Sequence, residues 1–385
     1  MTLEYLSWFQ ILLGVLARFW PVWVALGAIL AVSIAFKPRL GLYGQLFDSS
    51  VGIAGVMLCL FWLFTAIFAG TISPFNPLVQ IPVMKDALPG GIDPESGVAF
   101  LFGGDRLARD VFSRMVYGSQ VVMLIAPAAT AFALMVGATL GLPAGYYGGR
   151  VDTVLSFLAN LVLAFPVILL FYLLVTPGIM ETAIPYTMAG LFFLFPIVFF
   201  CTLFYTRNKH RTGLLAVQIG LTLVIGGWVY AGLVFNADPL GIIRIAPNEL
   251  NIFVAVVFAS APGVFRIVRG LVMDIKTRDY VAAAQTRGES PWYIMLWEVL
   301  PNARGPLIVD ACLRIGYTTI LLGTLGYFGL GLAPESPDWG TAIKDASRLL
   351  RVYIHPALPP TVALMSFVLG LNLLADALRE QSMKD

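Results

Sequence analysis

Nine stretches of this chain are each long and apolar enough to cross a lipid bilayer. A hydrocarbon core of about 30 Å takes roughly 20 mostly apolar residues in a helix. The runs are Phe19–Phe36, Val51–Gly70, Val121–Gly145, Val154–Val175, Ile184–Tyr205, Leu214–Phe235, Ile252–Val268, Pro306–Leu330 and Pro359–Leu378. Single runs of this kind occur as buried helices in soluble proteins. Here 59% of 385 residues are hydrophobic and 12% charged, too little polar surface for a soluble domain of this length. The sequence therefore predicts an all-α, polytopic transmembrane helix bundle of about nine spans. Pro21 and Gly27 interrupt the first run and Arg18 precedes it, so an interfacial helix is the alternative there. The N-terminus has no basic region before its apolar stretch and no A-x-A site after it, so no cleaved signal peptide is expected.

Sidedness follows from basic residues in the connections. Lys37 and Arg39, the turn Arg207–Arg211, and the segment Arg266–Arg304 with its six basic residues all fall inside by one alternation. The same alternation puts Arg379, Lys384 and the C-terminus in the cytoplasm, and Thr71–Gln120 and Gly331–Pro356 outside. Within the first outer connection, DRLARDVFSRMVYG reads as an amphipathic helix capped by Asp105. Arg106, Asp110 and Arg114 at four-residue spacing would form ion pairs on one face, with Leu107, Val111 and Met115 on the apolar face.

The inner segment TRDYVAAAQTRGESPWYIMLWEVLPN reads as two short helices. Thr277 would cap the first, with Asp279 in its first turn and Gly288 ending it in a left-handed conformation. Ser290 caps the second, Pro291 opens it and Pro301 ends it. Ala282, Ala283 and Ala284 give a smooth helical face on which a partner's groove can close. An ordinary loop with two interfacial helices has the same pattern.

This run resembles the coupling motif of ABC-importer permeases, EAA followed by Gly and a later Leu-Pro. Ala282–Ala284 stand for the triplet, Gly288 for the glycine and Leu300-Pro301 for the Leu-Pro; the motif's Glu is replaced by Ala282. GGDRLARDVFSR resembles the GTDxxGRDxxSR segment of the second permease in dipeptide and oligopeptide importers. Asp105, Arg109, Asp110, Ser113 and Arg114 match, while Gly104 and Ala108 depart from Thr and Gly. AGYYGGRVDT (Ala144–Thr153), AFP (Ala164–Pro166), GYFGLGLAPESPDWG (Gly326–Gly340) and LNLLADALR (Leu371–Arg379) follow in the family's order.

The resemblance covers roughly Val51 to the C-terminus and implies a type I ABC importer permease-like core. Residues 1–50 are then an extra N-terminal membrane segment, 51–70 the first core span and 71–120 the external loop. Residues 121–385 form the core, with a transmembrane hairpin inserted at about 178–249 and coupling helices at about 277–300. It further implies a second homologous permease, two ATP-binding subunits and an external solute-binding protein. This chain would form half of the path for di- or oligopeptides in the cytoplasmic (inner) membrane, with ATP and Mg2+ bound by the partner ATPases rather than here.

What the chain lacks agrees with that division of labour. No Gly-Lys dipeptide occurs, so there is no P-loop. The two histidines, His210 and His355, lie far apart, so neither a catalytic nor a metal site is expected. Cys59, Cys201 and Cys312 sit in apolar runs as small filler. A net charge of +2 gives no field for nucleic acid. The rival reading is an ion-coupled secondary transporter, in which Asp310 and Arg314, one turn apart, would serve the coupling ion. The same two residues also read as an ion pair at the inner mouth.

Overall fold

In the computed structural model the described residues are 3–176, 179, 182–241, 247–330, 336–348 and 350–382. Among them, thirteen principal helices follow in chain order. The first four are α1 Trp8–Arg18, α2 Trp20–Ala35, α3 Ser50–Ile67 and α4 Val111–Tyr147. Then come α5 Gly149–Ala164, α6 Val167–Val175, α7 Ala183–Asn208, α8 Thr212–Phe235 and α9 Pro247–Ile275. The last are α10 Asp279–Thr286, α11 Arg304–Phe328, α12 Trp339–Ser347 and α13 Leu358–Ser382. A two-stranded antiparallel ribbon, Gly91–Ile92 with Ala99–Phe100, is the sheet among these residues.

Seven of the helices are long and apolar enough to cross a membrane, and up to nine spans result if each of two bent pairs counts as one. Both bends have a proline cause. Pro21 has no N–H to give the carbonyl of Ala17, and α1 and α2 meet at 54° around Phe19. The predicted run Phe19–Phe36 is thus α2 itself, and α1 is a further apolar helix ahead of it that makes the two a bent pair. Phe165, held extended by the Pro166 that follows it, breaks the run predicted at Val154–Val175 into α5 and α6, bent by 76°. The third run also differs from expectation. α4 begins at Val111, ten residues ahead of the predicted Val121, because Asp110 caps it there. The hairpin's two apolar segments are α7 and α8; of the predicted 178–249 range, residues 178, 180, 181 and 242–246 lie outside the described residues, as do 331–335 of the Gly326–Gly340 segment and Lys384.

The chain divides into two compact units, Met1–Pro127 with Cys312–Asp385, and Ala128–Ala311. In the first, α3 and α13 cross where Gly55 and Gly370 replace side chains with backbone. A Cβ on Gly55 would stand 2.7 Å from the backbone nitrogen of Leu374, and one on Gly370 would stand 2.7 Å from Leu58. Small residues at a crossing let two helices touch by dispersion forces alone, as apolar solvent requires. Beside the crossing lies a buried core that includes Phe19, Trp62, Phe112 and Trp339. Trp62 donates to the Ser366 hydroxyl at 2.9 Å and Trp339 to the carbonyl of Met115 at 2.9 Å, so both indoles are satisfied within the core.

In the second unit α4 meets α9 along a ridge of glycines at every fourth residue. A Cβ on Gly141 would lie 2.8 Å from Val268, and one on Gly145 2.7 Å from Val272. This spacing gives the i, i+4 ridge that packs into a neighbour's groove. It seats α9 closely enough that Lys276, just past its end, donates to the carbonyls of Gly145 (2.8 Å) and Tyr146 (3.2 Å).

Candidate functional site

Two stretches stand out in the sequence, and the structure treats them oppositely. The first, Gly103–Arg114, is helical only from Val111, where α4 begins, and not from Asp105 as its spacing predicts. Residues 105–110 form a tight loop closed by a bridge between Gly104 and Asp110. Asp105 organises it: one carboxylate oxygen accepts from the backbone N–H of Leu107 (2.8 Å) and Arg109 (2.9 Å). Its other oxygen accepts from Arg109 Nε (2.7 Å) and Arg114 Nη1 (3.0 Å). Asp345 of α12 completes the cluster, taking Arg109 Nη2 at 2.8 Å and Arg114 Nη1 at 3.3 Å.

The helix cap is Asp110 rather than Asp105. Its carboxylate accepts from the Ser113 N–H (2.9 Å) and hydroxyl (2.5 Å). The ion pairs predicted among Arg106, Asp110 and Arg114 do not form in that pattern, since Arg106 is exposed and Arg114 turns to Asp105 and Asp345. Arg109 and Arg114 are each 2% exposed, so this is a buried network and not a set of surface pairs.

Burial pushes the Asp110 carboxyl up to about 6, against the lowering effect of the Ser113 hydrogen bonds. Burial likewise raises Asp345, with Arg109 opposing, and lowers His355, whose ring packs on this loop 3.3 Å from the Gly104 carbonyl. Ala108 sits in the loop at φ 60°, a left-handed conformation that strains any residue with a Cβ. This is the position where the resembled motif carries glycine. Chemically the cluster is closed: two arginines and two aspartates neutralise one another, and the arrangement holds a loop to α12.

The second stretch, Thr277–Asn302, forms the predicted pair of short helices with three corrections. The first helix, α10, starts at Asp279 with Arg278 at its cap; the Thr277 hydroxyl instead donates to the Asp274 carbonyl at 2.8 Å. Its end is as expected. Gly288 has φ 76°, its N–H reaches the Gln285 carbonyl (2.9 Å) and that of Glu289 reaches Ala284 (3.2 Å), closing a Schellman motif. Ser290 caps the next helix through the Tyr293 N–H, with Pro291 first.

Pro301 does not end that helix. Pro291–Tyr293 continues through a π-helical stretch, Ile294–Val299, into Leu300–Asn302, and the widened turn accommodates a proline that cannot donate backward. The Asn302 side chain adds a hydrogen bond to the Glu298 carbonyl at 2.6 Å.

The third correction divides the alanine triplet. Ala284 is fully buried, with Val281, against Leu142, Val268 and Met295. Ala282 and Ala283 are exposed, as are Gly288 and Pro301, and Leu300 is half-buried. An Arg287–Glu298 pair at 2.9 Å ties the two short helices together, and Gln285 donates to the Tyr146 hydroxyl at 3.2 Å. The result is a braced elbow with a smooth, open outer face.

The sequence reading missed one anchor of this elbow. Trp297 donates to the Thr206 hydroxyl at 3.1 Å, and the Arg207 guanidinium lies 4.4 Å over its ring. The end of α7 therefore holds the second short helix, a role that the basic turn does not show in the sequence, where it speaks only to sidedness. Asp345 was missed as well, being 236 positions from Arg109 with no local pattern to mark it. Asp310 and Arg314 lie one turn apart in the first half of α11, both half-buried. Among the described residues, no group of three His, Cys, Asp or Glu is placed to hold a metal ion.

Comparison with known proteins gives the family. Residues 137–382 match the family described as binding-protein-dependent transport system inner membrane component. A dipeptide transport system permease protein of Alkalihalophilus pseudofirmus is 25% identical over 346 residues, covering 90% of this chain and 90% of its own. A di/tripeptide transport system permease protein of Pseudomonas aeruginosa is 27% identical, covering 90% of this chain and 93% of its own. A glutathione transport system permease protein of Pectobacterium atrosepticum is 27% identical over 282 residues, 73% of this chain and 71% of its own.

Proposed function

The chain belongs to the family of inner membrane components of binding-protein-dependent transport systems, and from that premise we propose that it carries di- or oligopeptides. It is a multi-pass permease subunit of an ATP-driven importer. The peptide reading is supported by relatives named for dipeptide, di/tripeptide and glutathione transport. In this reading the chain supplies half of a translocation path completed by a second homologous permease. Two ATP-binding subunits, with their ATP and Mg2+, dock from the cytoplasm, and an external solute-binding protein delivers the peptide. The C-terminus then faces the cytoplasm.

The observation that carries the coupling role is the elbow at Gly288. Ala282 and Ala283 present no bulk, so a partner's groove closes directly on the helix backbone. The Schellman turn and the Arg287–Glu298 pair fix the angle between the two helices. The buried face of α10 packs on α4 and α9, which gives a docked partner a rigid lever on two long helices. The buried Asp105–Arg109–Arg114–Asp345 cluster serves as the brace of an outward loop.

Purification of the full chain from its own membrane, with identification of what accompanies it, tests this reading. ATPase subunits and a second permease, with peptide-stimulated ATP hydrolysis after reconstitution, are expected. A lone chain that takes up solute on a proton gradient would overturn it and favour Asp310 and Arg314 as coupling groups.

A further inference from the structure

The hairpin α7–α8 has a groove between its two helices, with a cavity of ≈ 410 Å³. Pro196, Ile197, Phe200 and Phe204 line it from α7, with Thr222 and Gly226 from α8. Pro196 stands inside α7 and cannot donate to the carbonyl of Phe192, which loosens the helix at the groove. From Phe193 to Phe204 the lining runs about 16 Å at 1.5 Å per residue, near half of a hydrocarbon core of about 30 Å.

The polar groups at one end are already used. Thr222 donates to the Gln218 carbonyl at 2.8 Å, and the Gln218 side-chain oxygen accepts from Asn208 at 2.8 Å. Apart from these and Tyr230 the lining is apolar, which suits an alkyl chain better than a peptide.

Charge decides what the chain is attached to. Between Thr182 and Ala237 there is no Asp or Glu, and the cations are Arg207, Lys209 and Arg211, all at the turn where Phe204 and Gln218 close the groove. Arg207 is committed to the Trp297 ring. Lys209 and Arg211 are exposed, and His210 lies between them. Basic residues beside an apolar, membrane-embedded surface attract acidic headgroups.

We propose that the α7–α8 groove binds one acyl chain of an anionic phospholipid whose phosphate is held by Lys209 and Arg211. A lipid seated there steadies the end of α7, and Thr206 and Arg207 at that end hold Trp297 of the second short helix. Lipid control of coupling would follow, and that consequence rests on the function proposed above. The binding site itself does not.

The test is native mass spectrometry of the full chain in detergent, with phosphatidylglycerol or phosphatidylcholine of identical acyl chains added. Phosphatidylglycerol should be retained at least tenfold better. The double variant Lys209→Gln/Arg211→Gln should lose that preference, at roughly fivefold per charge. Thr222→Phe, which fills the groove, should lower retention of both lipids; should it fail to fold, Ile225→Trp on the same wall reads the same quantity. Equal retention of the two lipids by the unmodified chain, or retention that the groove-filling variant leaves unchanged, would overturn the site. So would a dimer of the chain that excludes lipid from the groove.

Discussion

The loop at Asp105 and the elbow at Gly288 both carry the resemblance to a permease, yet they differ in where their side chains go. Around Asp105 every matching residue is buried, and the charges are spent on one another. Around Gly288 the residues that matter are small and exposed, and the ion pairs there, Arg287–Glu298 and Arg278–Asp274, are reached by solvent. A buried network missing one partner leaves an uncompensated charge in a poor solvent, whereas an exposed pair is screened and contributes little. Changes in the first region should therefore break the fold, and changes in the second should break coupling while leaving the fold alone.

The largest effect is expected at Arg109. Replacing it by alanine leaves Asp105 and Asp345 facing one another with Arg114 alone between them, at a cost of about 3–5 kcal/mol. Thermal unfolding of the purified chain should show a large drop in Tm. Arg278→Ala, in the exposed segment, should leave Tm where it was. Similar losses at both positions would remove the distinction between the regions.

Next is the pH dependence of Asp110. Its carboxyl titrates at about 6 in the fold, against about 4 in an unfolded chain. An acid raised by folding stabilises the protein below the unfolded value, and that stability is lost as pH rises through the folded value. The chain should therefore weaken between pH of about 4 and about 6, by on the order of 2–3 kcal/mol. Asp110→Asn keeps an acceptor for the Ser113 N–H and removes the titration. The difference in Tm between the two proteins should grow over that window in favour of the variant. A constant difference would show that Asp110 does not titrate there.

These two effects also mark how much of the molecule is legible in its sequence. The apolar runs located the helices because length and hydropathy are local properties. Gly288 and Ser290 marked the elbow because a left-handed stop and a side-chain cap are local too. Asp105, Arg109 and Arg114 are legible as a motif, but only Arg114 lies on a helix. The four-residue spacing of Arg106, Asp110 and Arg114 fits a helix, while the hydrogen bonds that Asp105 accepts from the backbone N–H groups of Leu107 and Arg109 make a loop. The decisive partner, Asp345, is remote in sequence. Burial of Ala284 beside exposed Ala283 is equally a tertiary fact, set by which face of α10 meets Leu142 and Val268.

A smaller effect is expected at Ala108. Glycine there should relieve the strain of φ 60°, raising stability by about 1 kcal/mol less the entropy that glycine adds to the unfolded chain. A lower Tm for Ala108→Gly would mean that the loop does not hold its left-handed turn.

Sidedness changes no stability at all, but it decides whether the two regions face different compartments. Asp93 is a poor probe of the loop between α3 and α4, being 2% exposed with its carboxylate accepting from Ser96. Glu95 and Lys209 are exposed. With single cysteines in a chain lacking the native three, an impermeant thiol reagent on intact cells should label position 95 and spare position 209. The reverse pattern would invert the topology.

Docking of an ATPase subunit on the exposed side of the elbow is tested more cleanly at Ala283 than at Gly288. A side chain at Gly288 meets no neighbour but is strained by φ 76°, so its failure would confuse folding with docking. Ala283→Trp adds bulk only on the open face, and Ala284→Trp, one residue on, adds it to the core. The measurement is ATPase-subunit retention by the purified complex, taken with Tm for each variant. Ala283→Trp should keep its Tm and lose ATPase retention and transport, and Ala284→Trp should give an unfolded or strongly destabilised chain. An Ala283→Trp complex that keeps its ATPase subunits and transports at the unmodified rate would contradict docking on that side.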